Sequence, residues 1–333
     1  MRCLNAMLLK DESYKGMVYE WINKQGSMDG EDEGEWWEDL KEKIKKISIK
    51  FSCRRNKKGR EREEKLKEEL VRETERIEEE IGRDLGVYNR LKDELGVLEK
   101  EKCMGAIVRR RARYLVEGEK CTGFFWGMEI RKQGNNYIKQ IEGKGGEVIS
   151  DLVGIAKRVE KCYRDLFKEE GIDNECLEKA LDSMEAVLTE EGKDLCEGEI
   201  TKEEIEAAID GMGRNKSPGL DGLTAEFYVE FKGILVPILQ KLFKCFEERD
   251  ELPDGLSTGV ISILFKKGSR DKLGNYRPLS MLNNDYNILA RVLSNRSKRV
   301  IGAVVGSTQA YSIPGRDISD TICSIRDIIK IDR

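Results

Sequence analysis

Histidine is missing altogether from the 333 residues. That absence excludes Ser-His-Asp and Cys-His catalysis, His-ligated zinc or haem, and a histidine pH switch. Chemistry is left to carboxylates, Lys, Arg, Cys, hydroxyls and the backbone. Proline is scarce and confined: all five (218, 237, 253, 278 and 314) follow residue 217. Proline-free, charge-rich sequence permits long helices, whereas proline with glycine punctuates a turn-rich region. Nine cysteines include no C-x-x-C pair, their number is odd, and no secretory signal precedes them. A reduced, intracellular protein with mostly structural thiols is expected, whether nuclear or cytoplasmic. No apolar run approaches the ~18 residues of a membrane span, so the expected chain is soluble, with no membrane partner.

Charge is abundant but balanced, with 60 Lys and Arg against 64 Asp and Glu. The near-neutral sum hides a segregated pattern. Residues 256–333 hold 13 basic and 6 acidic side chains, and residues 114–200 hold 12 and 20. A basic C-terminal piece inside an acidic chain is what a local phosphate-facing surface needs.

Periodicity divides the chain into four expected parts. Residues 1–55 are poorly defined, though Trp36, Trp37, Leu40, Ile44 and Ile47 suit an amphipathic helix over 35–50. Over 56–103, Leu66, Leu70, Ile77, Ile81, Leu85, Tyr88, Leu91, Leu95 and Leu98 mark one apolar stripe on a charged helix or helices, with breaks near Gly82 and Gly86. That stripe packs on its own protein or supports self-association through 57–102 as a coiled coil. Residues 104–200 hold the cluster Arg109, Arg110, Arg111 and Arg113, a β-hairpin around Gly143–Gly146, and acidic helices. The arginines beside aromatics are candidate RNA contacts, and a solvated helix face is the plainer reading.

Residues 201–333 are the most informative. Thr201 with Glu204 reads as a capping box, and Lys216-Ser-Pro-Gly-Leu-Asp-Gly222 as a turn. Phe227, Phe231, Leu235, Ile238 and Leu242 mark a buried helix face, with a break or kink expected at Pro237. Gly259–Phe265 is a β-rich run ending in Lys266-Lys-Gly268, a helix is expected over 284–300, and a last one starts near Ile318.

The order of these motifs resembles the reverse transcriptase of LINE-type (non-LTR) retrotransposons. The resemblance rests on Lys216–Gly222 with Glu226-Phe-Tyr228, Lys266–Gly268, Tyr276-Arg-Pro278, Leu282-Asn283, Asp285-Tyr286, Arg296, Gln309 and Ile313-Pro-Gly-Arg316. Leu220, Phe265, Asn287 and Tyr311-Ser312 depart from the family's usual residues. The resemblance implies an α+β, mostly helical chain: a long-helix N-terminal region, then a fingers-like subdomain lacking the palm catalytic strands. By analogy Lys266 and Arg277 meet the phosphates of the incoming nucleotide, and Gln309, Gly315 and Arg316 lie near the template. Asp221 is expected to hold its turn against the fingers. The family's polymerase holds two Mg²⁺ ions ~4 Å apart with palm aspartates. The 333 residues contain no Asp-Asp pair, and the family's endonuclease site needs histidine. The expectation is therefore a truncated RNA-directed DNA polymerase with no catalytic residues, metal ligands or cofactor of its own. It would bind RNA or an RNA/DNA hybrid weakly. The alternatives are a helical coiled-coil interaction protein and a nucleic-acid-binding module with a host role.

Overall fold

The computed structural model describes residues 4, 6–25, 32–79, 84–110, 138–168, 171–182, 188–306 and 309–331. After a 3-10 turn at Ala6–Lys10, the elements are α1 (Glu12–Lys24), α2 (Glu33–Glu79), α3 (Gly86–Arg110), β1 (Ile141–Glu142), β2 (Val148–Ile149), α4 (Leu152–Leu166), α5 (Asn174–Asp182), α6 (Glu190–Glu197) and α7 (Lys202–Asp210). They continue with α8 (Ala225–Glu230), α9 (Lys232–Arg249), α10 (Asp254–Ser257), β3 (Val260–Phe265), β4 (Tyr276–Met281), α11 (Asn284–Val304) and α12 (Ile318–Ile331). The chain is mostly helical with two two-stranded sheets, β1–β2 and β3–β4, which is the expected α+β class. No helix among the described residues is long and apolar enough to cross a membrane.

The residues fall into two compact units. The first comprises residues 1–49, 163–264 and 277–333. Its core is built from Tyr14, Val18 and Ile22 of α1, Trp37, Leu40 and Ile44 of α2, Ile205 and Ile209 of α7, Leu235, Leu239 and Leu242 of α9, and Ile288 and Val292 of α11. Each set steps by three or four, so one face of each helix is buried. Helix α7 packs on both α9 and α11, and α11 also meets α6. The capping box is present: Glu204 N–H donates to Thr201 Oγ1 at 3.3 Å, and Thr201 N–H to Glu204 Oε2 at 3.0 Å. Helix α9 runs through Pro237 without ending. Of the break or kink expected there, the break is absent. The N-terminal residues belong to this unit. Tyr19 lies edge-on to Phe231 with centroids 4.9 Å apart, and Leu4 N–H donates to Gly222 O at 2.8 Å.

The second unit comprises residues 50–162 and 265–276. In it, the remainder of α2 and α3 meet through an ion pair between Arg62 and Glu94 at 3.1 Å. Leu66 is buried, and Leu70, Ile77, Leu91, Leu95 and Leu98 are half-buried, so part of the expected stripe is covered within the chain. Strands β1 and β2 pair antiparallel, Ile141 opposite Ile149, as the expected hairpin. Glu142 N–H donates to Asp271 O at 2.7 Å, which anchors the 265–276 loop.

Candidate nucleic-acid interface

The first unit is organised around a buried polar cluster at the Lys216–Gly222 turn. Pro218 and Gly219 are buried while Lys216 points to solvent. Gly219 presses so closely on Asn283 and the Leu282 carbonyl carbon that a Cβ could not be placed there. Gly222 takes φ +77°, a left-handed conformation suited to glycine. The turn is read by the start of α11. Asn283 Oδ1 accepts from Asp221 N–H at 3.2 Å, and its Nδ2 donates to Gly255 O at 2.8 Å. Asn284 Nδ2 donates to Leu223 O at 2.7 Å.

Asp285, fully buried, carries the other side of the cluster. Its Oδ2 accepts from Trp37 Nε1 and from Lys41 Nζ, each at 2.7 Å. Lys41 also pairs with Glu38 at 2.6 Å. Burial alone would lower the Lys41 pKa, but Asp285 and Glu38 outweigh it and raise it. One turn on, Lys45 Nζ donates to Leu220 O at 3.2 Å. Trp37, Lys41 and Lys45 step by four, so a single face of α2 meets both the turn and α11.

Two further arginines act on backbone. Arg296 of α11 is buried, donating Nε and Nη2 to the two oxygens of Glu204, each at 2.7 Å, and its remaining donors to the carbonyls of Cys196, Gly198 and Glu199. Those bonds hold the Glu204 carboxyl below its ordinary pKa and raise that of Arg296. Arg316 donates to Gly302, Val305, Gly306 and Gln309 carbonyls at 2.6–3.0 Å, stapling the 309–316 turn to the end of α11. A cation on the last carbonyls of a helix also suits its dipole. In that turn Ser312 and Gly315 take positive φ (+64° and +79°), so the left-handed conformation falls on Ser312 and not on the bulky Tyr311.

The residues expected to meet nucleotide phosphates are exposed. Arg277 lies on β4 within the first unit. Lys266 directly follows β3 in the second unit, where its N–H donates to Asn275 O at 2.8 Å. Its loop is shaped by Gly268 at φ +91°, by Arg270 lying 4.6 Å over the Phe265 ring, and by Tyr276 hydroxyl donating to Arg270 O at 2.7 Å. Among the described residues, neither Lys266 nor Arg277 makes an ion pair. Gln309 and Gly315 are exposed on the turn that Arg316 holds together. Arg109 and Arg110 end α3, with side chains outside the described set, and Arg111 and Arg113 lie outside the described residues. No three Asp, Glu or Cys side chains converge to hold a metal among the described residues.

The sequence reading missed Trp37, Lys41 and Lys45. A signal was there: Lys41 follows Trp37 by four and precedes Ile44 by three, inside the apolar stripe of the expected 35–50 helix. A lysine in that place needs a buried anion.

No family model matches the chain. The chain is similar to a transposon-encoded protein. That relative is the Transposon TX1 uncharacterized 149 kDa protein of Xenopus laevis, 34% identical over 246 residues, which cover 74% of this chain and 19% of that protein. The chain thus spans about a fifth of the curated relative it matches.

Proposed function

We propose that the chain is the N-terminal extension and fingers of a LINE-type retrotransposon RNA-directed DNA polymerase, contacting RNA without catalysing synthesis alone. The observation that carries this reading is the 34% identity over 246 residues with a transposon protein. The exposed cations Lys266 and Arg277 support it, because a lysine offers a point charge and an arginine a planar fork for phosphate oxygens. Arg316 has a positioning part in this reading, since its two terminal nitrogens are spent on carbonyls that shape the 309–316 turn.

The reading is tested by gel-shift binding of the full chain to a structured RNA across a salt series. Log affinity should fall linearly with log salt, and Arg109→Ala with Arg110→Ala should make the slope shallower by about one to two phosphate contacts. No shift at low salt, or a flat salt response, removes the RNA-contact claim. Primer extension on an RNA template with Mg²⁺ should give no product, and clear synthesis would overturn the claim that the chain is inactive alone.

A further inference from the structure

The Asp221 carboxyl is divided. Its Oδ1 accepts from Leu223 N–H at 2.9 Å, while its Oδ2 is shut away from solvent with no hydrogen-bond partner. An ionised carboxylate oxygen left in that state costs far more than a neutral one, because burying an unpaired charge is more unfavourable than burying an unpaired hydroxyl. The hydroxyl oxygen of fully buried Tyr228, the fourth residue of α8 and sensitive to the Asp221 charge, also lacks a hydrogen bond of normal geometry.

The charges around Asp221 point the same way. Facing it are Asp285 from α11, Lys41 and Glu38 from α2, Tyr228 from α8, and the Leu223 N–H of its own turn. Lys41 is already committed to Asp285 and Glu38. With one cation between two acids, an ionised Asp221 would add a second uncompensated negative charge in a buried site. Like charges in one site separate into an acid and a carboxylate.

We propose that Asp221 is a proton-operated latch: as a neutral acid it closes the Lys216–Gly222 turn onto the Trp37–Lys45 face of α2 and the start of α11, and its ionisation loosens that closure. Burial first, and then the Asp285 charge, push the Asp221 carboxyl up from 3.8 to about 7, against the opposing pull of Lys41 and the Leu223 N–H. The folded chain therefore keeps a proton that the unfolded chain has released. Stability conferred by this group is complete below about pH 4, declines as pH rises toward about 7, and is level above that. The inference stands apart from the proposed RNA contact, which involves other residues.

The experiment is denaturant unfolding of the full chain and of Asp221→Asn between pH 4.5 and 8.5, with hydrogen exchange on both. Relative to Asp221→Asn, the wild-type folded-to-unfolded ratio should fall by up to tenfold per pH unit within the window and no further above it. After correction for intrinsic rates, wild-type exchange should quicken over residues 37–45 and 221–228 as pH rises, and not over 57–79. Parallel pH dependence in the two proteins, or quickening spread evenly over both segments, overturns the latch. Should Asp221→Asn not fold, carbon-13 carboxyl titration of the wild-type chain decides instead. An Asp221 midpoint above 6 upholds the proposal, and one below 5 sinks it.

Discussion

At the scale of single residues, the cluster is held by side chains that treat charge in three different ways. Asp285 is neutralised by a cation and an indole N–H, Arg296 meets a carboxylate with a fork, and Arg316 is spread over carbonyls. Trp37 is the most separable of these contributors. Trp37→Phe keeps most of the buried ring area but removes a hydrogen bond to a charged acceptor, which is worth about 1.5–3 kcal/mol. We expect the chain to lose about 2 kcal/mol, measured by denaturant unfolding at pH 6, while Trp36→Phe at the neighbouring half-buried position should change little. Equal losses in both variants would mean that ring volume, and not the Nε1–H bond, carries the effect. This contact was beyond sequence reasoning for a simple reason. Trp37 and Asp285 are 248 residues apart, and periodicity reports which face is buried but never against what.

At the scale of elements, legibility depended on whether the determinant was local. The α7 capping box involves two residues three apart, and the hairpin at 141–149 is fixed by its glycine turn, so both were readable beforehand. The extent of α2 was not. It runs unbroken from Glu33 to Glu79, across the expected boundary at 55, because Ser52–Lys58 is polar yet holds no helix breaker. Pro237 does not end α9, although a break is one of the two outcomes its presence suggests. The Lys216–Gly222 turn was legible as a turn, but not the closeness of its packing on Leu282 and Asn283. That closeness has a measurable consequence. Gly219→Ala forces a methyl group against backbone that cannot retreat without disturbing Asn283, and overpacking of this kind costs about 1–3 kcal/mol. Gly302→Ala, where nothing lies within 4 Å of the added carbon, should be neutral or mildly stabilising in its helix. Thermal melts of the pair give the comparison, and a Gly219→Ala protein as stable as wild type would show that the turn is not tightly seated.

At the scale of the whole molecule, apolar surface is the quantity that packing leaves unresolved. Ile261 and Leu293 are exposed, whereas Ile288 and Val292 are buried against the core. The larger apolar surface lies elsewhere, on α12. Ile318, Ile322, Ile325 and Ile329 are all more than half exposed and step by four, three and four, which places them on one helical face. Contiguous apolar surface of this kind drives association in water, because removing it from solvent gains about 25 cal/mol per Å². Net charge does little to oppose this, at −4 for 333 residues. The chain is therefore expected to aggregate at micromolar concentration with its fold intact. Ile322→Glu with Ile325→Glu should suppress that, since both side chains already face solvent and contribute little to the core. Light scattering against concentration reads the association, and the unfolding midpoint reads the fold. Suppressed scattering with an unchanged midpoint is the expected pair of results. If scattering persists, α12 is not the adhesive surface, and the exposed Ile261 and Leu264 of β3 become the next face to change.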